Sequence, residues 1–271
     1  MASTASRTSL SAASLSKLLK SKANATIAKH SMRFFKTGKG EYGEGDKFLG
    51  IRVPELRKLA SEKEIAEDLP IREVETLLSS SWHEERLFAL LVLVYRFPKA
   101  SLKEKESIYN FYLEHTKWIN NWDLVDTTAY KIVGPWLYDT NSSRKVLYDL
   151  AKSSNLWERR IAILSTMYFI GKREFRDTLQ LAEMYLQDEQ DLIHKATGWM
   201  LREVGKQDLA SLKQFLDSHY GEMPRVMLRY AIEKLPIKER QEYLASDRGS
   251  TSKKGTSDES APTRSRKCPR N

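Results

Sequence analysis

Asn120-Asn121-Trp122-Asp123-Leu124-Val125-Asp126, near the middle of the chain, reads as the start of a helix. Asn121 is a residue type that caps helix N-termini well, and apolar residues recur after it with helical spacing through Leu137. A tryptophan-led start also occurs 40 residues earlier, at Ser81-Trp82-His83-Glu84, and 35 residues later, at Leu156-Trp157-Glu158-Arg159. Asp191 opens a further helix 34 residues beyond Trp157.

A period of that length, with about two helices per unit and no β-branched alternation, predicts an all-α fold. The expected architecture is a curved solenoid of stacked antiparallel helix pairs of HEAT or armadillo type. One pair cannot bury its own apolar face, so neighbours stack and leave a concave side.

The bulk composition bounds what this solenoid does. With 271 residues and 41% apolar content the chain can bury a sizeable core. Charged residues interrupt even its most apolar segment, Leu87 to Phe97, so no membrane span and no membrane partner are expected. The single cysteine, Cys268, permits no intrachain disulfide, zinc cluster or iron–sulfur centre, and it suits a reducing intracellular setting. The five histidines lie at no metal-ligand spacing, so neither a metal site nor a cofactor is expected. The formal charge of +9 is concentrated at the ends. Residues 1–40 hold eight Lys/Arg and no acid, and residues 247–271 hold seven against three acids. The intervening body carries 30 basic and 33 acidic residues, so a nucleic-acid face has to be local.

Along the chain, residues 1–9 are Ser/Thr/Ala-rich and expected to be disordered. Their acid-free character could also belong to an organellar transit peptide, although the amphipathic pattern that follows favours two short opening helices. The glycine-punctuated stretch from Thr37 to Asp46 reads as a loop; it is no P-loop, because Gly40 rather than Ser/Thr follows Lys39 and no strand precedes it. Residues 10–246 are read as the repeat domain, and 247–271 as a disordered basic tail.

Three helices carry candidate chemistry. On the one after Asn121, Trp122, Asp126, Ala129 and Val133 share one side, so the Asp126 carboxylate sits at the edge of an apolar stripe. Such a group needs a cation, donors or a task, and a structural arginine partner accounts for it as well as catalysis does. Asp123 needs only the helix dipole. In a helix spanning Trp157 to Ile170, Arg160 is enclosed by Ile163, Leu164 and Met167 and must find an anion: Asp126 or a backbone phosphate. Arg159 is expected to face solvent. In the helix from Asp191, Lys195, Trp199, Arg202 and Lys206 fall on the polar face. That arrangement suits stacking beside held phosphates, or a solvated basic face on which Trp199 packs against the next repeat. Arg225 and Arg229, one turn apart, are further candidates for phosphate contact.

These residues, with Phe48-Leu49-Gly50-Ile51-Arg52-Val53-Pro54-Glu55-Leu56-Arg57 and Ile193-His194-Lys195-Ala196-Thr197-Gly198-Trp199-Met200-Leu201-Arg202-Glu203, give the chain a resemblance over about residues 30–245. It resembles the AlkD-like DNA alkylation repair glycosylases of the HEAT-like repeat superfamily. The resemblance implies a monomeric enzyme that excises N3- or N7-alkylated purines from double-stranded DNA. It implies Asp126 as the catalytic carboxylate, Trp122 and Trp199 as active-site aromatics, and Arg160 as the contact to the lesion-flanking phosphate. It implies too that the lesion is handled without insertion into a deep pocket. Two departures stand out: the loop from Thr37 to Asp46 is longer than in the best-studied member, and Phe34 stands where a tyrosine is expected.

An alkylated purine of this kind is already a cationic leaving group, so the general acid of ordinary glycosidases is dispensable and one carboxylate suffices. Without an evident lysine nucleophile, the expected reaction is monofunctional hydrolysis. The rival reading is a non-catalytic solenoid that binds DNA or protein on its concave face, as most such folds do.

Overall fold

The computed structural model describes residues 10–245. The disorder expected of residues 1–9 and 247–271 therefore lies outside the described residues. The chain opens with α1 (Ala12–Ser21), α2 (Ala25–Phe34), α3 (Val53–Ala60), α4 (Lys63–Asp68) and α5 (Ile71–Leu78). Next come α6 (His83–Arg96), α7 (Leu102–Glu114), α8 (Trp122–Asp139), α9 (Lys145–Ala151), α10 (Leu156–Ser165) and α11 (Met167–Gly171). It ends with α12 (Arg176–Met184), α13 (Asp191–Gln207), α14 (Leu209–His219), α15 (Arg225–Ala231) and α16 (Ile237–Ala245). The only β-pairing among the described residues is an isolated bridge between Lys47 and Trp82. None of these helices is long and apolar enough to cross a membrane.

The fold is the all-helical repeat stack that the sequence period predicts. Helices α6, α8, α10, α13 and α15 form an inner row, each packed on the next. Outside them, α5 covers α6, α7 covers α8, α9 covers α10, and α12 and α14 flank α13. The starts near Trp82, Trp122, Trp157 and Asp191 are thus the starts of the first four inner helices. Side chains cap two of those starts: Asn121 accepts from the Trp122 amide at 2.8 Å, and Asn155 accepts from the Trp157 amide at 2.9 Å.

The stack is held by burial along the inner row. In α6 the side chains from Leu87 to Val94 are all buried, and truncating one, as in Leu90→Ala, should cost about 2–5 kcal/mol. Glu84, also buried, accepts from the amides of Leu49 (2.8 Å), Gly50 (2.7 Å) and Ile51 (3.3 Å), fastening the segment that leads into α3. At the other end of α6, Arg96 donates to the carbonyls of Ala66 (2.6 Å) and Leu69 (2.7 Å), which the end of α4 leaves unpaired. Between α13 and α15 the backbones meet at Gly198, where a Cβ would lie 2.4 Å from the Met227 carbonyl oxygen.

One helix expected to be continuous is divided. The Trp157–Ile170 stretch breaks at Thr166 into α10 and α11. There Ser165 and Thr166 hydroxyls donate to the carbonyls of Ile161 and Ile163, both at 2.7 Å, competing with the helical ladder.

Candidate functional site

A cleft of about 420 Å³ opens on the inner row, lined by Phe34, Tyr42, Trp122, Asp126, Arg160, Leu192, Lys195, Trp199 and Tyr230. Its walls come from the end of α2, the loop after it, and α8, α10, α13 and α15. Trp122, Asp126, Arg160 and Trp199, singled out from four separate positions in the sequence, share this one space.

Asp126 and Arg160 bridge α8 and α10 with two parallel bonds: Nε donates to Oδ1 and Nη2 to Oδ2, each at 2.7 Å. Nη1 of Arg160 donates to the Leu192 carbonyl at the start of α13. Of five guanidinium N–H bonds, about two remain for another acceptor. Both line the cleft, and the Asp126 side chain is the more accessible of the two, with 17% of its surface exposed against 6% for Arg160. Burial pushes the Asp126 carboxyl above its ordinary range, with the charge of Asp123 adding to the push; the hydrogen bonds and charge of Arg160 oppose it without cancelling it.

Beneath Trp122 runs a stack of rings. Phe35 stacks on the indole at 5.2 Å, Phe48 on Phe35 at 5.1 Å, and the His83 imidazole on Phe48 at 4.6 Å, while Phe34 meets Trp122 edge-on at 5.7 Å. His83 is buried between two acids: Asp123 lies 2.8 Å from Nε2 and Asp46 lies 3.3 Å from Nδ1. Burial disfavours its charge, but the charge and hydrogen bond of Asp123, with a hydrogen bond to Asp46, outweigh burial and raise His83 to about 9. Asp46 is also burdened by burial, yet His83, Arg86 and Asn121 hold it below its ordinary value. Asp123 is therefore more than a first-turn acid complementing the dipole of α8. It ties that helix to α6 and fixes the turn that carries Trp122.

The basic residues divide. Lys195 lines the cleft and pairs with Asp191 at 2.5 Å. Arg202 and Lys206 share Glu203, at 3.5 Å and 2.7 Å, and Arg202 also reaches Glu233. Glu203 further accepts from the Trp199 indole at 3.1 Å, so an acid sits within the face expected to be basic. Arg225 donates to the Leu244 carbonyl at 2.8 Å, and Arg229 is exposed. Arg159, expected in solvent, instead binds Asp188 at 2.7 Å and the Ser153 carbonyl at 2.9 Å. Three lining residues escaped sequence reasoning: Tyr42, Leu192 and Tyr230. The flanking glycines of Tyr42 signalled only a loop, and Tyr230 follows an arginine pair that drew attention to charge.

Comparison with known proteins agrees with this architecture. A family model described as "DNA alkylation repair enzyme" matches residues 15–235. No curated protein matches the chain. Among solved structures, a predicted DNA alkylation repair enzyme from Enterococcus faecalis is similar, with 19% identity and a TM-score of 0.61 over 79% of this chain and 97% of the other. AlkD2 from Streptococcus mutans shares 17% identity with a TM-score of 0.49, covering 82% of this chain and 96% of that one.

Proposed function

The chain belongs to the DNA alkylation repair enzyme family, and from that premise we propose that it is a monofunctional DNA glycosylase. Its substrates are purines made cationic by alkylation at N3 or N7 in double-stranded DNA. The observation that carries this reading is the Asp126 carboxylate, fixed by two bonds from Arg160 in a cleft that Trp122 and Trp199 also line.

The chemistry asks little beyond that set. The bond from C1′ to the purine nitrogen breaks with its electron pair leaving on the base, which neutralises the base's positive charge. The deoxyribose is left electron-poor at C1′, and Asp126 stabilises that charge. Water adds to C1′ and loses its proton to the carboxylate or to solvent. Because the base departs without prior protonation, no second acid is needed. The indoles of Trp122 and Trp199 offer electron-rich faces to a cationic base and sugar. Arg160 orients Asp126 and has N–H bonds left for the phosphate beside the lesion, and Lys195 adds a cation at the wall.

The test is release of free 7-methylguanine from methylated double-stranded DNA by the purified full chain, followed chromatographically. Release is the expected result. DNA binding with no release would instead support a solenoid that recognises DNA without acting on it.

A further inference from the structure

Trp122 is the first residue of α8, and the residues on either side of it are both tied to one polar cluster, Asp46 with His83 and Arg86 of α6. On one side, Asn121 accepts from the Trp122 amide at 2.8 Å and donates through Nδ2 to Asp46 at 3.3 Å. On the other, Asp123 accepts from the Leu124 amide at 2.9 Å with Oδ1 and from Nε2 of His83 at 2.8 Å with Oδ2. The cluster closes on itself, because His83 donates through Nδ1 to Asp46 at 3.3 Å and Arg86 donates to the same carboxylate at 2.6 Å. Asp46, His83, Arg86 and Asn121 are all buried. Both ring nitrogens of His83 face carboxylate oxygens, so both donate, and the ring holds its positive charge between two acids.

Ring packing alone leaves the indole room to move. Phe35, which stacks on it, is only half-buried and also lines a second cavity of about 330 Å³, together with Phe48, His83 and Asp123. A column of rings bordered by open space can slide, whereas directional bonds on both sides of Trp122 fix where its backbone lies. Asp126, one turn further along α8, has its own fastening to Arg160, so loss of the tether falls on the indole. We propose that His83 and Asp46 are positioning residues of the reaction centre, holding the Trp122 indole at the cleft through Asp123 and Asn121. This inference rests on the glycosylase reading above, because the placement of the indole bears on a rate only if it meets a reacting group.

The test breaks the tether from either end. Asp123→Ala leaves the cluster on α6 in place, and His83→Asn keeps a donor for Asp46 but none that reaches Asp123. Two readouts are taken on the full chain, well below each variant's melting temperature. One is single-turnover excision of 7-methylguanine; the other is the ¹⁹F resonance of Trp122 in protein labelled with 5-fluorotryptophan, assigned by Trp122→Phe. Each variant should slow excision about tenfold, within the roughly hundredfold that a displacement of about 1 Å can cost, with DNA affinity little changed. The double variant should be no slower than the slower single one, because the same bond is lost only once. The Trp122 resonance should move in both, while that of Trp199, assigned by Trp199→Phe, stays in place. An unmoved Trp122 resonance, an unchanged rate in a folded variant, or effects that multiply in the double variant would overturn the proposal. A loss larger than that of Trp122→Ala would place the effect on Asp126 and overturn it as well. Where one variant fails to fold, the rate and resonance of the other decide. A wild-type protein that excises nothing overturns the glycosylase reading itself, and that failure is distinguishable because it appears before any substitution is made.

Discussion

Asp126 and Arg160 meet in parallel, both bonds at 2.7 Å, across the junction of α8 and α10. The pair is at once a fastener between two repeats and the charged centre of the cleft. Those two roles respond differently to substitution, and this separates the catalytic reading from a structural one.

Asp126→Asn keeps the shape and one acceptor oxygen but removes the charge. Weakening the bond to a buried guanidinium should cost about 1–3 kcal/mol of stability, leaving the protein folded by circular dichroism. Excision should fall about 10²–10³-fold, because an amide cannot stabilise a cationic sugar. A folded variant that releases 7-methylguanine at the wild-type rate would show that the pair is structural only.

The pH dependence of excision follows from the raised Asp126 carboxyl. Only the ionised form can stabilise the sugar, so the rate should rise with pH as Asp126 loses its proton. The midpoint should lie above the ordinary aspartate value. Single-turnover rates measured across the acid range test this; an acid limb at or below that value would contradict it.

His83 supplies a separate pH effect on stability. Its folded-state value is raised to about 9 from an ordinary 6.5. The stabilisation is therefore complete below the ordinary value and is lost as pH rises through about 9. A shift of this size corresponds to something on the order of 3 kcal/mol. Urea unfolding from about pH 6 to about pH 10 should show this decline in the wild type and a flatter profile in His83→Gln. Equal slopes in the two proteins would place the pH dependence elsewhere.

Salt dependence should separate the basic residues. Lys195 lines the cleft, whereas Arg202 and Lys206 already share Glu203. Lys195→Gln should flatten the log–log slope of DNA affinity against salt by about 0.9, the contribution of one phosphate contact. Lys206→Gln should change it less: both lysines are ion-paired, Lys195 with Asp191 and Lys206 with Glu203, but only Lys195 lines the cleft. Binding isotherms at several salt concentrations decide this; a larger effect at Lys206 would move the interface down α13.

The helical repeat was legible because four of the five inner helices start near a conspicuous residue, Trp82, Trp122, Trp157 or Asp191, at similar spacing. Asp126 and Arg160 were legible for the related reason that a charge on an apolar stripe demands a partner, and the partner is the other. Asp123 was misjudged because a first-turn acid always has a local explanation. Its actual partner, His83, lies on the preceding inner helix, a distance that periodicity does not register. Arg159 failed in the same way: helical phase places it away from the core, but the turn before α13 brings Asp188 to it. Tyr42 was invisible because a loop has no period from which to read which way its side chains face.

The cleft draws its walls from several successive helices of the inner row, and no single repeat contains it. In a stack where each unit holds only its neighbours, the C-terminal units can fray while the middle stays intact. Loss of α13 and α15 would take Trp199, Lys195, Tyr230 and the Leu192 carbonyl away from an otherwise undisturbed Asp126. The site thus works as a caliper whose jaws are set by the pitch of the whole superhelix, and it reports the integrity of the stack sooner than the helical content does.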